Sequence, residues 1–79
     1  MDYIVVVMPK GWSEGIAGRL VTEPDESEHK TPFIEVGNDP YYPEDVQWVF
    51  GASKQSRRAA QEAGYKVRNV LGRVMWRDV

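Results

Sequence analysis

The run Tyr3-Ile4-Val5-Val6-Val7-Met8 is apolar at every position and rich in β-branched residues. That predicts a strand covered on both faces or paired at the centre of a sheet. Pro9-Lys10-Gly11 ends it. Next come Trp12, Ile16 and Leu20 at helical spacing, but Gly11, Gly15 and Gly18 argue against a stable helix. The reading is a wide loop followed by a second strand from about Ile16 to Thr22. Glu23 to Lys30 is polar throughout and reads as a solvated, flexible hairpin loop. Thr31 to Val36 alternates Phe33 and Glu35 against Ile34 and Val36, a third strand whose Pro32 suits a sheet edge. Gly37-Asn38-Asp39-Pro40 is a dense turn signal.

The strongest pattern follows. At about 100° per position, Val46, Trp48, Val49, Phe50, Ala52, Ala59, Ala60 and Ala63 fall within one arc of about 200°. Gln47, Gly51, Lys54, Arg58, Gln61 and Glu62 fill the opposite side. This predicts one amphipathic helix over about 43–63, its flat side on a sheet and Trp48 in the core. Pro43 suits a first turn, and Glu44 and Asp45 suit the positive end of the dipole. Gly64 can take the left-handed conformation that closes a helix, with Tyr65 folding back onto the last turn. A rival stands beside this reading: Val46 to Phe50 as a strand, Gly51-Ala52 as a turn, and Ser53 as the N-cap of a shorter helix. Gly51 is the weak point of the long helix, since an interior glycine marks either a close approach to another backbone or the break that the rival requires. Beyond Gly64, Tyr65 to Val70 reads as a basic strand, and Val74-Met75-Trp76 as a short final strand or extension.

The element order, three strands, a helix, then one or two strands, predicts a small α+β domain. Its mainly antiparallel sheet of four or five strands carries the helix on one face. Seventy-nine residues make one domain with one core. Without cysteine there are no disulfides and no thiolate metal sites, which suits a reducing cytoplasm. The start, Met1-Asp2-Tyr3, lacks the basic region of a secretory signal, and Ile4 to Met8 is too short to span a bilayer, so a membrane partner is not expected.

The net charge of -2 hides a division. Residues 1–50 carry three bases against ten acids, a balance of -7. Residues 51–79 carry Lys54, Arg57, Arg58, Lys66, Arg68, Arg73 and Arg77 against Glu62 and Asp78, a balance of +5. Whether this sequence dipole is also a dipole in space depends on the fold.

Little in the sequence suggests catalysis. The sole histidine, His29, lies in the polar loop with no second imidazole, and no cysteine is present to act as nucleophile. The three glycines after the first strand lack the spacing and the Lys-Ser/Thr ending of a phosphate loop, and the acidic loop lacks the spaced ligands of a calcium site. Ser56, Ala59-Ala60, Gly64-Tyr65, Asn69-Val70, Gly72 and Trp76 resemble the closing helix and strand of rhodanese-like domains. Phe50 or Gly51 stands where that family's cysteine would be, so no family is assigned.

The expectation is therefore a non-enzymatic protein-interaction module without cofactor or metal: an inhibitor or adaptor of the small kind that phage and mobile elements encode. Two free sheet edges would let it pair as a homodimer. The alternative is nucleic-acid binding by the basic segment 54–77. Lys54, Arg57, Arg58, Lys66, Arg68, Arg73 and Arg77 would contact phosphates, and Trp76 or Tyr65 would stack on a base. The acidic balance of the whole chain, with a pI near 5.3, weighs against the alternative.

Overall fold

A computed structural model describes residues 2–23, 31–69 and 76–77. The strands are β1 (Asp2–Pro9), β2 (Gly15–Val21), β3 (Phe33–Val36), β4 (Asp39–Tyr41), β5 (Val46–Gly51), β6 (Val67–Arg68) and β7 (Trp76–Arg77), and the one helix is α1 (Lys54–Glu62). Six strands hydrogen-bond in the order β4-β3-β2-β1-β5-β6, and β7 pairs with β2. The pairings of β1 with β2 and β5, of β2 with β3, and of β3 with β4 are antiparallel. Those of β6 with β5 and of β7 with β2 are parallel. The architecture is a small α+β domain with a mostly antiparallel sheet and α1 against β5, β6 and β1.

The apolar run at the start forms the central strand, flanked by β2 and β5. Its two faces differ. Val5 and Val7 are buried with Ile16, Leu20, Ile34, Val36, Val46, Val49, Ala60 and Tyr65, the core beneath α1. Side chains alternate along a strand, so Ile4, Val6 and Met8 belong to the outer face. Ile4 there is 73% exposed.

The stretch 43–63 is not one helix. Pro43–Asp45 forms a single 3₁₀ turn, Val46–Gly51 is β5, and only Lys54–Glu62 is helical. The helix-start signals at Pro43 are genuine: the Asp45 carboxylate accepts a hydrogen bond from the Tyr42 amide at 3.1 Å. They close one turn and no more, because the residues that follow are β-branched or aromatic and pair with β1, Val49 opposite Val7 and Trp48 opposite Met8. The rival reading of the sequence is the one the fold adopts. Trp48 therefore leaves the core. It is half-buried beside Phe50 on the outer face, while Val46 and Val49 point inward.

Ser53 caps α1 as that reading requires. The Ser53 hydroxyl accepts from the Ser56 amide at 3.0 Å, and the Ser56 hydroxyl accepts from the Ser53 amide at 3.2 Å. At the far end Gly64 has φ 97°, its amide donates to the Gln61 carbonyl, and the Tyr65 amide donates to the Ala60 carbonyl, a Schellman stop. β4 is not expected from the sequence, where Gly37-Asn38-Asp39-Pro40 reads as a turn. Pro40 is tolerated there because β4 ends the strand order, where a missing amide breaks no ladder. Residues 24–30, with the acidic loop and His29, and residues 70–75 lie outside the described residues.

Candidate functional site

Short loops leave α1 packed chiefly on β5, with β6 beside it. Lys54, Arg57, Arg58 and Gln61 recur at i, i+3, i+4 and i+7, so they form one stripe along the helix. The buried side of α1 is Ser56 and Ala60, with Ala59 and Ala63 partly covered. Between the polar stripe and the strand runs a groove of about 760 Å³, lined by Lys54, Arg57, Arg58, Gln61, Tyr65, Lys66, Val67 and Asn69. Four of its eight lining residues are cationic and none is acidic.

The groove is held from beneath. The Arg57 guanidinium donates to the Gly51 carbonyl at 2.9 Å, so this half-buried side chain is fixed against the end of β5. The Lys66 carbonyl accepts from the Val49 amide at 2.7 Å, which ties the approach to β6 to the neighbouring strand. Tyr65 is 4% exposed, and its hydroxyl donates to the Tyr41 carbonyl. Burial pushes the Tyr65 phenol well above its ordinary pKa; a hydrogen bond with the Ile34 backbone opposes this, and the Asp45 and Glu44 carboxylates add to it. Among the described residues Lys54, Arg58 and Lys66 enter no ion pair, although Arg58 also lines a neighbouring cleft with Glu62.

Lys66 also lines a second cleft of about 510 Å³, together with Lys10, Pro43, Val46, Gln47, Trp48 and Gly64. Gln47 is fixed at its rim, its amide donating to the carbonyls of Pro9 at 3.0 Å and Trp12 at 3.2 Å. Two residues beyond Lys66, the guanidinium of Arg68 lies 5.0 Å from the Trp48 ring centre, a cation-π contact on the outer face. The clefts meet at Lys66, with cations on the helix side and a Trp48-Arg68 pair on the other.

Of the residues singled out in the sequence, Lys54, Arg57, Arg58 and Lys66 come together in the groove. Arg68 stands across β6 from them. Trp76 and Arg77 form β7, whose register is with Gly15 and Ile16 of β2, three places from β6 in the strand order. Arg73 lies outside the described residues. Trp48, Gln61, Lys10 and Asn69 were not singled out for the site. The i, i+3, i+4, i+7 stripe would have found Gln61, but the others depend on which strands pair.

Two carboxylates, Glu35 of β3 and Asp2 of β1, both reach Arg19, at 2.6 Å and 3.4 Å. Glu62 lies on α1 itself, and Glu44 and Asp45 stand close enough to Tyr65 to raise its pKa. Among the described residues no group of His, Asp or Glu is arranged to hold a metal ion, and no helix is long and apolar enough to cross a membrane. Comparison of the chain with protein-family models, with curated proteins and with solved structures finds no match.

Proposed function

We propose that the chain is a non-enzymatic binding domain whose groove between α1 and β6 takes the phosphates of a nucleic acid. The observation that carries this reading is the convergence of Lys54, Arg57, Arg58 and Lys66 on one groove with no acidic residue in its lining. Such a groove attracts a phosphate backbone irrespective of base sequence and releases condensed counterions when it binds.

The acidic balance of the whole chain is spread over the fold. Glu35 on β3 is four places from β6, roughly 19 Å at about 4.8 Å per strand and beyond the Debye length of about 10 Å at 0.1 M salt. Glu62, Glu44 and Asp45 lie nearer, but none of them lines the groove. The lining also argues for binding over turnover, because its one phenol, Tyr65, is buried and committed to the Tyr41 carbonyl.

The experiment is a titration of a fluorescently labelled oligonucleotide at low salt. Lys54→Glu with Arg58→Glu should abolish most binding. Arg19→Gln, which also removes positive charge but beside Glu35 and Asp2, should leave it intact. Equal loss in both would sink the reading.

A second reading, a protein-interaction module, rests on a different observation. Ile4 is 73% exposed on the outer face, between Asp2 and half-buried Val6. A second copy of the chain is the simplest partner for such a face. Sedimentation above the 9.0 kDa monomer mass, reversed by Ile4→Lys, would support it; a monomer at high concentration would count against it.

A further inference from the structure

Lys66 joins the basic groove to the cleft lined by Trp48, and Arg68 lies over the Trp48 ring two residues further along the same edge. We propose that the strand accommodated here is single-stranded, with its phosphates along Lys54, Arg57, Arg58 and Lys66 and an unpaired base stacked on the outer face of the Arg68 guanidinium. This rests on the reading of the groove as a phosphate site. It adds the class of nucleic acid and the residue that selects it.

The argument is one of geometry and hydration. A guanidinium is planar and weakly hydrated, and a base can stack on it as on an aromatic ring. Left alone on a surface the side chain would sample many rotamers. Trp48 fixes it: the ring is half-buried on β5, and Arg68 sits 5.0 Å from its centre. Arg68 itself is exposed. Trp48 is thus a positioning residue and Arg68 the contact. In a duplex every base is already stacked and paired, so this platform would be idle. In a single strand the bases are free, and base stacking is the usual complement to a basic track.

Charge supports the path. Lys10 and Lys66 line the cleft beside Trp48, and neither this cleft nor the groove has a carboxylate in its lining. A strand leaving the groove at Lys66 therefore meets a further cation, Lys10, and a stacking surface. Arg19, the other arginine assigned to the outer face by strand alternation, is already paired with Glu35 and Asp2 and offers no such platform.

The test compares a labelled oligothymidylate of about 12 nucleotides with a labelled duplex of the same length, both titrated at low salt. The wild type should bind the single strand more tightly. Arg68→Lys keeps the charge and removes the plane, so it should weaken single-strand binding about ten-fold, the loss of one stacked base, and leave duplex binding unchanged. Trp48→Phe should retain more single-strand affinity than Trp48→Leu, and the Arg68 variant decides the matter if the Leu variant does not fold. Equal affinity for the two probes, or an Arg68→Lys effect of the same size on both, overturns the single-strand inference while the phosphate groove stands. Binding of neither probe overturns the groove reading itself.

Discussion

A Cβ placed on Gly51 would lie 2.3 Å from the Ser56 hydroxyl oxygen and 3.1 Å from the Arg57 amide nitrogen. The end of β5 and the first turn of α1 are therefore in contact through a position where a side chain has no room. Ser56 is 2% exposed and is spent on the cap, its hydroxyl donating to the Ser53 carbonyl at 2.8 Å. Gly51→Ala should lower stability by about 1–3 kcal/mol, since either the helix or the strand must move. Urea denaturation measures it, and the same variant should weaken oligonucleotide binding because Arg57 is anchored on the Gly51 carbonyl.

The two faces of the sheet should respond differently to truncation. Val49→Ala, at a position with no exposure, should cost about 2 kcal/mol. Ile4→Ala, on the outer face, should stay within about 0.5 kcal/mol. Thermal or urea midpoints compared side by side decide this. Similar losses at both sites would mean that the outer face is covered.

Tyr65 should give the fold an alkaline limit. Its phenol has a raised pKa in the folded state, so stability is fully present below the unfolded value of about 10 and falls as pH rises above it, where only the unfolded chain sheds the proton. Tyr65→Phe should cost about 0.5–1.5 kcal/mol at neutral pH, for the lost hydrogen bond to Tyr41, and should flatten the alkaline decline. Denaturation curves at stepped pH test both the sign and the window.

Much of this fold could be read locally. The apolar run at Tyr3–Met8, the second and third strands, and the stop at Gly64-Tyr65 follow from neighbouring residues and hold in three dimensions. The stretch from Pro43 to Gly51 could not be settled that way. Its arc of apolar residues satisfies a helical period, but Val46 and Val49 meet Pro9 and Val7 of β1, some forty residues earlier, and that long-range pairing outweighs the local start signal. For the site, the basic stripe of α1 was visible as the polar side of the helix. Its junction with Lys66, and the Trp48-Arg68 contact, exist only because β6 pairs with β5. The sequence dipole separates in part: Glu35 sits with Arg19 near one end of the strand order and the cations gather at the other, yet Asp45 and Glu44 remain close enough to Tyr65 to raise its pKa.

The most direct measurement is the salt dependence of oligonucleotide binding. Four phosphate contacts, from Lys54, Arg57, Arg58 and Lys66, should give a log-log slope of about -2.8 on a single strand, at about -0.7 per contact. Lys54→Gln with Arg58→Gln should bring the slope to about -1.4 and weaken binding to all base sequences alike. A slope unchanged by that pair of substitutions, or no association at about 50 mM salt with tens of micromolar protein, would contradict the account.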